Sequence, residues 1–149
     1  MNAKLTLLSA LGVLCGFAVA PVAMAAVCSH GPKGMVHNEH LQMSGSTLVQ
    51  PPPIDLRDAS CQQQKVHVVW HAPNGYSFVQ GGITVTGSST QFSQSHPGDE
   101  NSSSAKDKKY HVLDANSDGQ QYEYTISLVP DSGGRPVSKD PIIINAGSH

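Results

Sequence analysis

Histidine and methionine crowd one short stretch of this chain, Met35-Val36-His37-Asn38-Glu39-His40-Leu41-Gln42-Met43, with His30 just ahead of it. Thioether and imidazole are soft to borderline ligands, and together they suit copper. A helical turn would set His37 and His40 side by side, because residues three apart share a helix face. Met35, His37, His40 and Met43 are therefore the candidate metal ligands, and copper is the candidate cofactor.

Two other groups could do chemistry. His67 and His71 share a strand face, but four residues span roughly 13 Å of strand, too far for one ion. Either would need help from His111 or from the Met/His segment, and strand histidines with no ligand role are the plainer reading. Asp114-x-Asn116-x-Asp118-Gly119 is the front half of a calcium loop, with oxygen ligands at alternate positions and glycine for the turn. The bidentate carboxylate due at the twelfth position is replaced by Thr125, and Glu123 comes two residues early. A polar hairpin turn accounts for these residues, with weak calcium binding by Asp114, Asn116 and Asp118 as the residual hypothesis.

Catalytic signatures are missing from the sequence. There is no Gly-x-Ser-x-Gly elbow, no phosphate-cradling Gly-Lys-Ser/Thr loop and no His-Glu-x-x-His. The acid pairs Asp55/Asp58 and Asp99/Glu100 read as solvated loop charges. The expectation is a protein that is not an enzyme.

These residues must be held by whatever follows the leader. Of the 149 residues, 1–25 read as a secretory signal peptide: Lys4, an apolar run from Leu5 to Val19, then Ala23-Met24-Ala25. The run is short for a membrane span and nothing later could span as a helix. Leu14 before Cys15 and Val27 before Cys28 do not fit a lipid-anchored cysteine. The localisation expected is periplasmic or secreted. In that oxidising setting Cys28 and Cys61 are expected to form a disulfide, worth roughly 3–4 kcal/mol in the chain-entropy model.

Without the leader the apolar fraction falls from 38% to about 31%, enough for one modest core. The formal net charge of −2 gives no basic footprint, which argues against a nucleic-acid partner. Residues 26–60 read as an irregular Met/His/Pro-rich arm pinned by Cys28, with Thr47 to Val49 as a short edge strand. Residues 61–149 read as the folded domain. Lys65 to His71 alternates Val66, Val68 and Trp70 with His67, Val69 and His71. Tyr122, Tyr124, Ile126 and Leu128 alternate with Glu123, Thr125 and Ser127. Turn residues recur about every ten positions, and no helical period appears. Ser95 to Lys109 holds one apolar residue, Ala105, and reads as a long polar loop.

Asp118-Gly119-Gln120-Gln121-Tyr122-Glu123-Tyr124 resembles the corner opening the penultimate strand of immunoglobulin-like domains, where an Asp precedes a Tyr by four. Tyr124 stands where the family has a cysteine, so the usual inter-sheet bridge is absent. Trp70 on an early central strand suits the same family. The ending Asp140-Pro141-Ile142-Ile143-Ile144-Asn145 is similar to small exported bacterial proteins of unassigned function. The resemblance implies an all-β fold, a single antiparallel immunoglobulin-like β-sandwich, here with its N-terminal arm.

The function expected is that of an exported binding or interaction domain. Its partner would be another protein or an envelope component, met by the arm and the polar loop. Copper handling by the Met/His arm is the alternative, and an exported hydrolase inhibitor acting through the loop is the third reading.

Overall fold

Val66, Val68 and Trp70 alternating with His67, Val69 and His71 make Val66–His71 a strand with one fully buried face, and the computed structural model places it at the centre of a five-stranded sheet. The structure describes residues 28–32, 34–61, 64–87, 90–98 and 105–147. The leader expected at 1–25 lies outside them. The strands run β1 (Ser29–Gly31), β2 (Gly34–His40), β3 (Met43–Ser44), β4 (Thr47–Leu48), β5 (Ile54–Asp55), β6 (Val66–His71) and β7 (Tyr76–Val79). They continue β8 (Ile83–Val85), β9 (Phe92–Pro97), β10 (Lys106–Asp107), β11 (Lys109–Asp114), β12 (Gln121–Pro130), β13 (Val137–Lys139) and β14 (Ile142–Ile144). No helix occurs among the described residues, so the fold is all-β. None of them forms a helix long and apolar enough to cross a membrane.

One sheet orders its five strands β1-β2-β6-β11-β9. The other runs β10-β7-β12-β14-β5, with β8 and β13 also pairing along the long β12. β3 and β4 make a small hairpin. The two large sheets share one core. Val66, Val68, Trp70, Tyr110 and Val112 of the first meet Phe78, Tyr124, Ile126, Leu128 and Ile143 of the second. At its centre Trp70 Nε1 donates to Tyr124 Oη at 3.3 Å, which satisfies a buried indole N–H. Phe78 and Tyr110 meet edge to face, 5.5 Å between centroids.

The segment 26–60 departs from the irregular arm expected of it. β2 lies parallel against β6 over six residue pairs, Met35↔Val66 to His40↔His71. β5 lies parallel to β14, so the architecture is not purely antiparallel. The reason is apolar content: Met35, Leu41, Leu48, Ile54 and Leu56 are all buried and build part of the core. The Cys28–Cys61 disulfide forms as expected, with Cα atoms 5.4 Å apart, and fixes β1 near the start of β6.

The polar loop is also shorter than 95–109. β9 continues to Pro97, and β10 and β11 account for Lys106, Asp107 and Lys109. Lys106 pairs with Asp131 at 3.4 Å, and Lys108 donates to the same carboxylate. Residues 99–104 lie outside the described residues. Ala72-Pro73-Asn74-Gly75 forms the turn into β7: Tyr76 N donates to Pro73 O at 3.2 Å, and Gly75 has φ +81°.

Candidate functional site

Because Val66, Val68 and Trp70 take the inner face of β6, His67, Val69 and His71 are left on the outer one. The neighbouring strands then decide what stands beside each histidine. Parallel β2 sets His40 opposite His71. Their rings stack, with centroids 4.3 Å and planes 13° apart. Asn38, on the same outer row, has its Oδ1 2.9 Å from His71 Nε2.

On the other side of β6, antiparallel β11 places His111 opposite Val69, diagonal to His67. His67 Nδ1 and His111 Nε2 lie 2.9 Å apart. The ring centroids are 4.9 Å apart and the planes 22° from parallel. β9 then puts His96 opposite His111, with centroids 5.5 Å apart. His96 Nδ1 is 3.4 Å from Pro97 O. His111 is only 4% exposed although it points away from the inter-sheet core. Five of the chain's eight histidines, from four strands, thus occupy one outer face in two groups: His40/His71 and His67/His111/His96.

The four residues picked from the Met/His segment do not gather. A strand, unlike a helical turn, sends residues three apart to opposite faces. Met35 and His37 face inward at 2% and 3% exposure, whereas His40 is on the outside. Met43 packs on the core edge from β3. His37 has no hydrogen-bond partner at either ring nitrogen, and its nearest charge is Glu39, Nε2 to Oε2 3.7 Å. Among the described residues no three His, Cys, Asp or Glu side chains already stand at ligand distance from a common point.

Asp114, Asn116 and Asp118 do lie together, but not as an exposed polar turn. Asp114 and Asn116 are buried and Asn116 has φ +50°. The Asn116 amide donates to Cys61 O at 2.8 Å and Leu56 O at 3.4 Å, and its Oδ1 accepts from Ala146 N at 2.7 Å. It ties the disulfide loop to Ala146, with its amide N–H and its Oδ1 both engaged in that role. Burial pushes the Asp114 carboxyl up to about 6, against hydrogen bonds from Asn116 and Asn145 that pull it down.

Residue reading alone missed His96 as a member of the outer group and Asn145 as a partner of Asp114. His96 had a usable signal, since it continues the strand begun at Phe92, but Pro97 and the polar run after it hid the strand's length. A scan against protein-family models finds no match, and no curated protein matches the chain.

Proposed function

We propose that the chain is an exported, non-enzymatic binding protein whose ligand is a divalent transition-metal ion of the copper(II) or zinc type. The site is the outer face of the five-stranded sheet rather than the Met/His segment. The observation that carries this reading is the 2.9 Å approach of His67 Nδ1 to His111 Nε2, with the His96 ring 5.5 Å from that of His111. Two imidazole nitrogens each about 2.0–2.1 Å from one ion, at angles between square and tetrahedral, sit about 2.9–3.3 Å apart. The pair is therefore spaced for a shared ion once the proton between its nitrogens moves to the far nitrogen of its own ring. His96 turns in as a third ligand. The leader and the Cys28–Cys61 bridge support export. With Met35 in the core, thioether capture of copper(I) has no support.

An immunoglobulin-like sandwich remains the fold reading within this proposal. Supporting it, the Tyr122 hydroxyl donates to Asp118 four residues upstream, and Trp70 packs on Tyr124 between the sheets.

The test is calorimetric titration of copper(II) and zinc(II) into untagged protein with its disulfide intact. His67→Ala and His111→Ala should each weaken binding at least tenfold, while Met43→Ala should leave it unchanged. Binding that survives both histidine changes would remove the proposal.

A further inference from the structure

A second cluster, at the opposite end of β11 from Lys109, carries an inference independent of the histidine face. Asp114 ends that strand completely buried. Its Oδ1 accepts from Asn116 N at 2.8 Å and Asn145 Nδ2 at 3.1 Å, while its Oδ2 has no hydrogen-bond partner. Asn145, just past β14, is equally buried, and its Oδ1 is also without a partner. The same Asn145 Nδ2 reaches Asp118 Oδ1 at 3.4 Å. Asp118 accepts further from Gln120 N and from the Tyr122 hydroxyl. Two carboxylates thus converge on one buried amide. Among the described residues no Lys or Arg forms an ion pair with either of them, and the charge that acts on Asp114 is that of Asp118.

A buried carboxylate beside a second one, with no positive partner, is an expensive arrangement. An amide dipole offsets only part of the cost. We infer that Asp114, Asp118 and Asn145 form a binding site for a hard divalent cation of the calcium type. The amide's oxygen and nitrogen have nearly the same shape, and turning the Asn145 amide over brings Oδ1 to where Nδ2 stands. That oxygen then lies about 3.1 and 3.4 Å from the two carboxylate oxygens. Oxygens about 2.4 Å from one ion and roughly 80–90° apart are separated by about 3.1–3.4 Å. The unpartnered Asp114 Oδ2 supplies the second oxygen of a bidentate carboxylate. Asp118 is only partly buried, which gives the ion a route in and room to keep water. The ligands are not the alternating trio of the sequence motif: Asn116 is spent on Leu56, Cys61 and Ala146, and Asn145 takes its place. Gly119 follows Asp118 at φ +66°, where a Cβ would stand 3.2 Å from Gly147 Cα, so the corner closes tightly on the chain's end.

The experiment is thermal unfolding of the full disulfide-bonded chain at pH 7.5 in chelator-treated buffer, with 0 to about 5 mM calcium or magnesium. Calcium should raise Tm by about 3–6 °C, and magnesium by less, because it demands a tighter octahedral cage. Asp118→Asn, at a partly exposed position, should keep the fold and abolish the shift. His67→Ala should retain it, which separates this site from the histidine face. No calcium shift in the wild type overturns the inference. A wild-type Tm that instead rises only on acidification to pH 5.5 assigns the compensation to a proton on Asp114 and overturns it equally. So does a calcium shift that Asp118→Asn leaves intact.

Discussion

The two faces of β6 are one strand apart in thickness and opposite in chemistry. Inward, Val66, Val68 and Trp70 are 0% exposed, and the one polar group among them, the indole N–H, is matched by Tyr124 Oη. Outward, His67 and His71 gain neighbours from different strands, and these neighbours are again imidazoles. The inner face is an answer to the cost of ordering the chain: large apolar area and satisfied donors. The outer face instead gathers imidazole rings against one another. A valine or threonine at His67 or His71 would serve a strand as well or better.

Breaking the inner face should have the largest effect. Trp70→Ala removes the biggest buried side chain, the ring contact with Tyr124 and the partner of its hydroxyl. A loss of about 3–5 kcal/mol is expected, read by urea denaturation. A loss under about 1 kcal/mol would mean that the two sheets do not depend on this contact.

What could be read from the sequence follows the same division. β6 and β12 were legible because each alternates: Val66, Val68 and Trp70 against His67, Val69 and His71, and Tyr122, Tyr124, Ile126 and Leu128 against Glu123, Thr125 and Ser127. Cys28 and Cys61 were legible from their even count once Cys15 is set aside with the segment 1–25 read as a leader. β2 was not, because its inner face mixes Met35 with His37 and Glu39 while apolar Val36 points outward. That blurs the alternation, so the segment reads as an irregular arm. The histidine face was half legible. The shared face of His67 and His71 follows from spacing, but their partners depend on register between strands. His111 lies 44 residues from His67, and no local pattern encodes that pairing. Asn145 was invisible for a similar reason, since its role arises only when the chain's end returns to the corner after β11.

The corner at Asp114 gives the inner face a titrating charge. Burial raises its carboxyl from 3.8 to about 6. Below the unfolded value both states hold the proton and there is no penalty. As pH rises through about 6 the folded state must carry a buried charge, so stability from this group falls. In metal-free buffer, Asp114→Asn should therefore gain on the wild type by about 2–3 kcal/mol between pH 4 and pH 7. Parallel pH profiles for the two proteins in urea denaturation would refute this.

The smallest effect should come from the outer face itself. His71→Ala loses a stacked ring and one hydrogen bond to Asn38, both at the sheet's solvent side. Stability should change by no more than about 0.5–1 kcal/mol, since substitutions away from the core rarely cost more. The same variant should leave ion binding at His67 and His111 intact, because four residues of strand, roughly 13 Å, separate the two groups. A cost near that of Trp70→Ala would show that the outer histidines are structural.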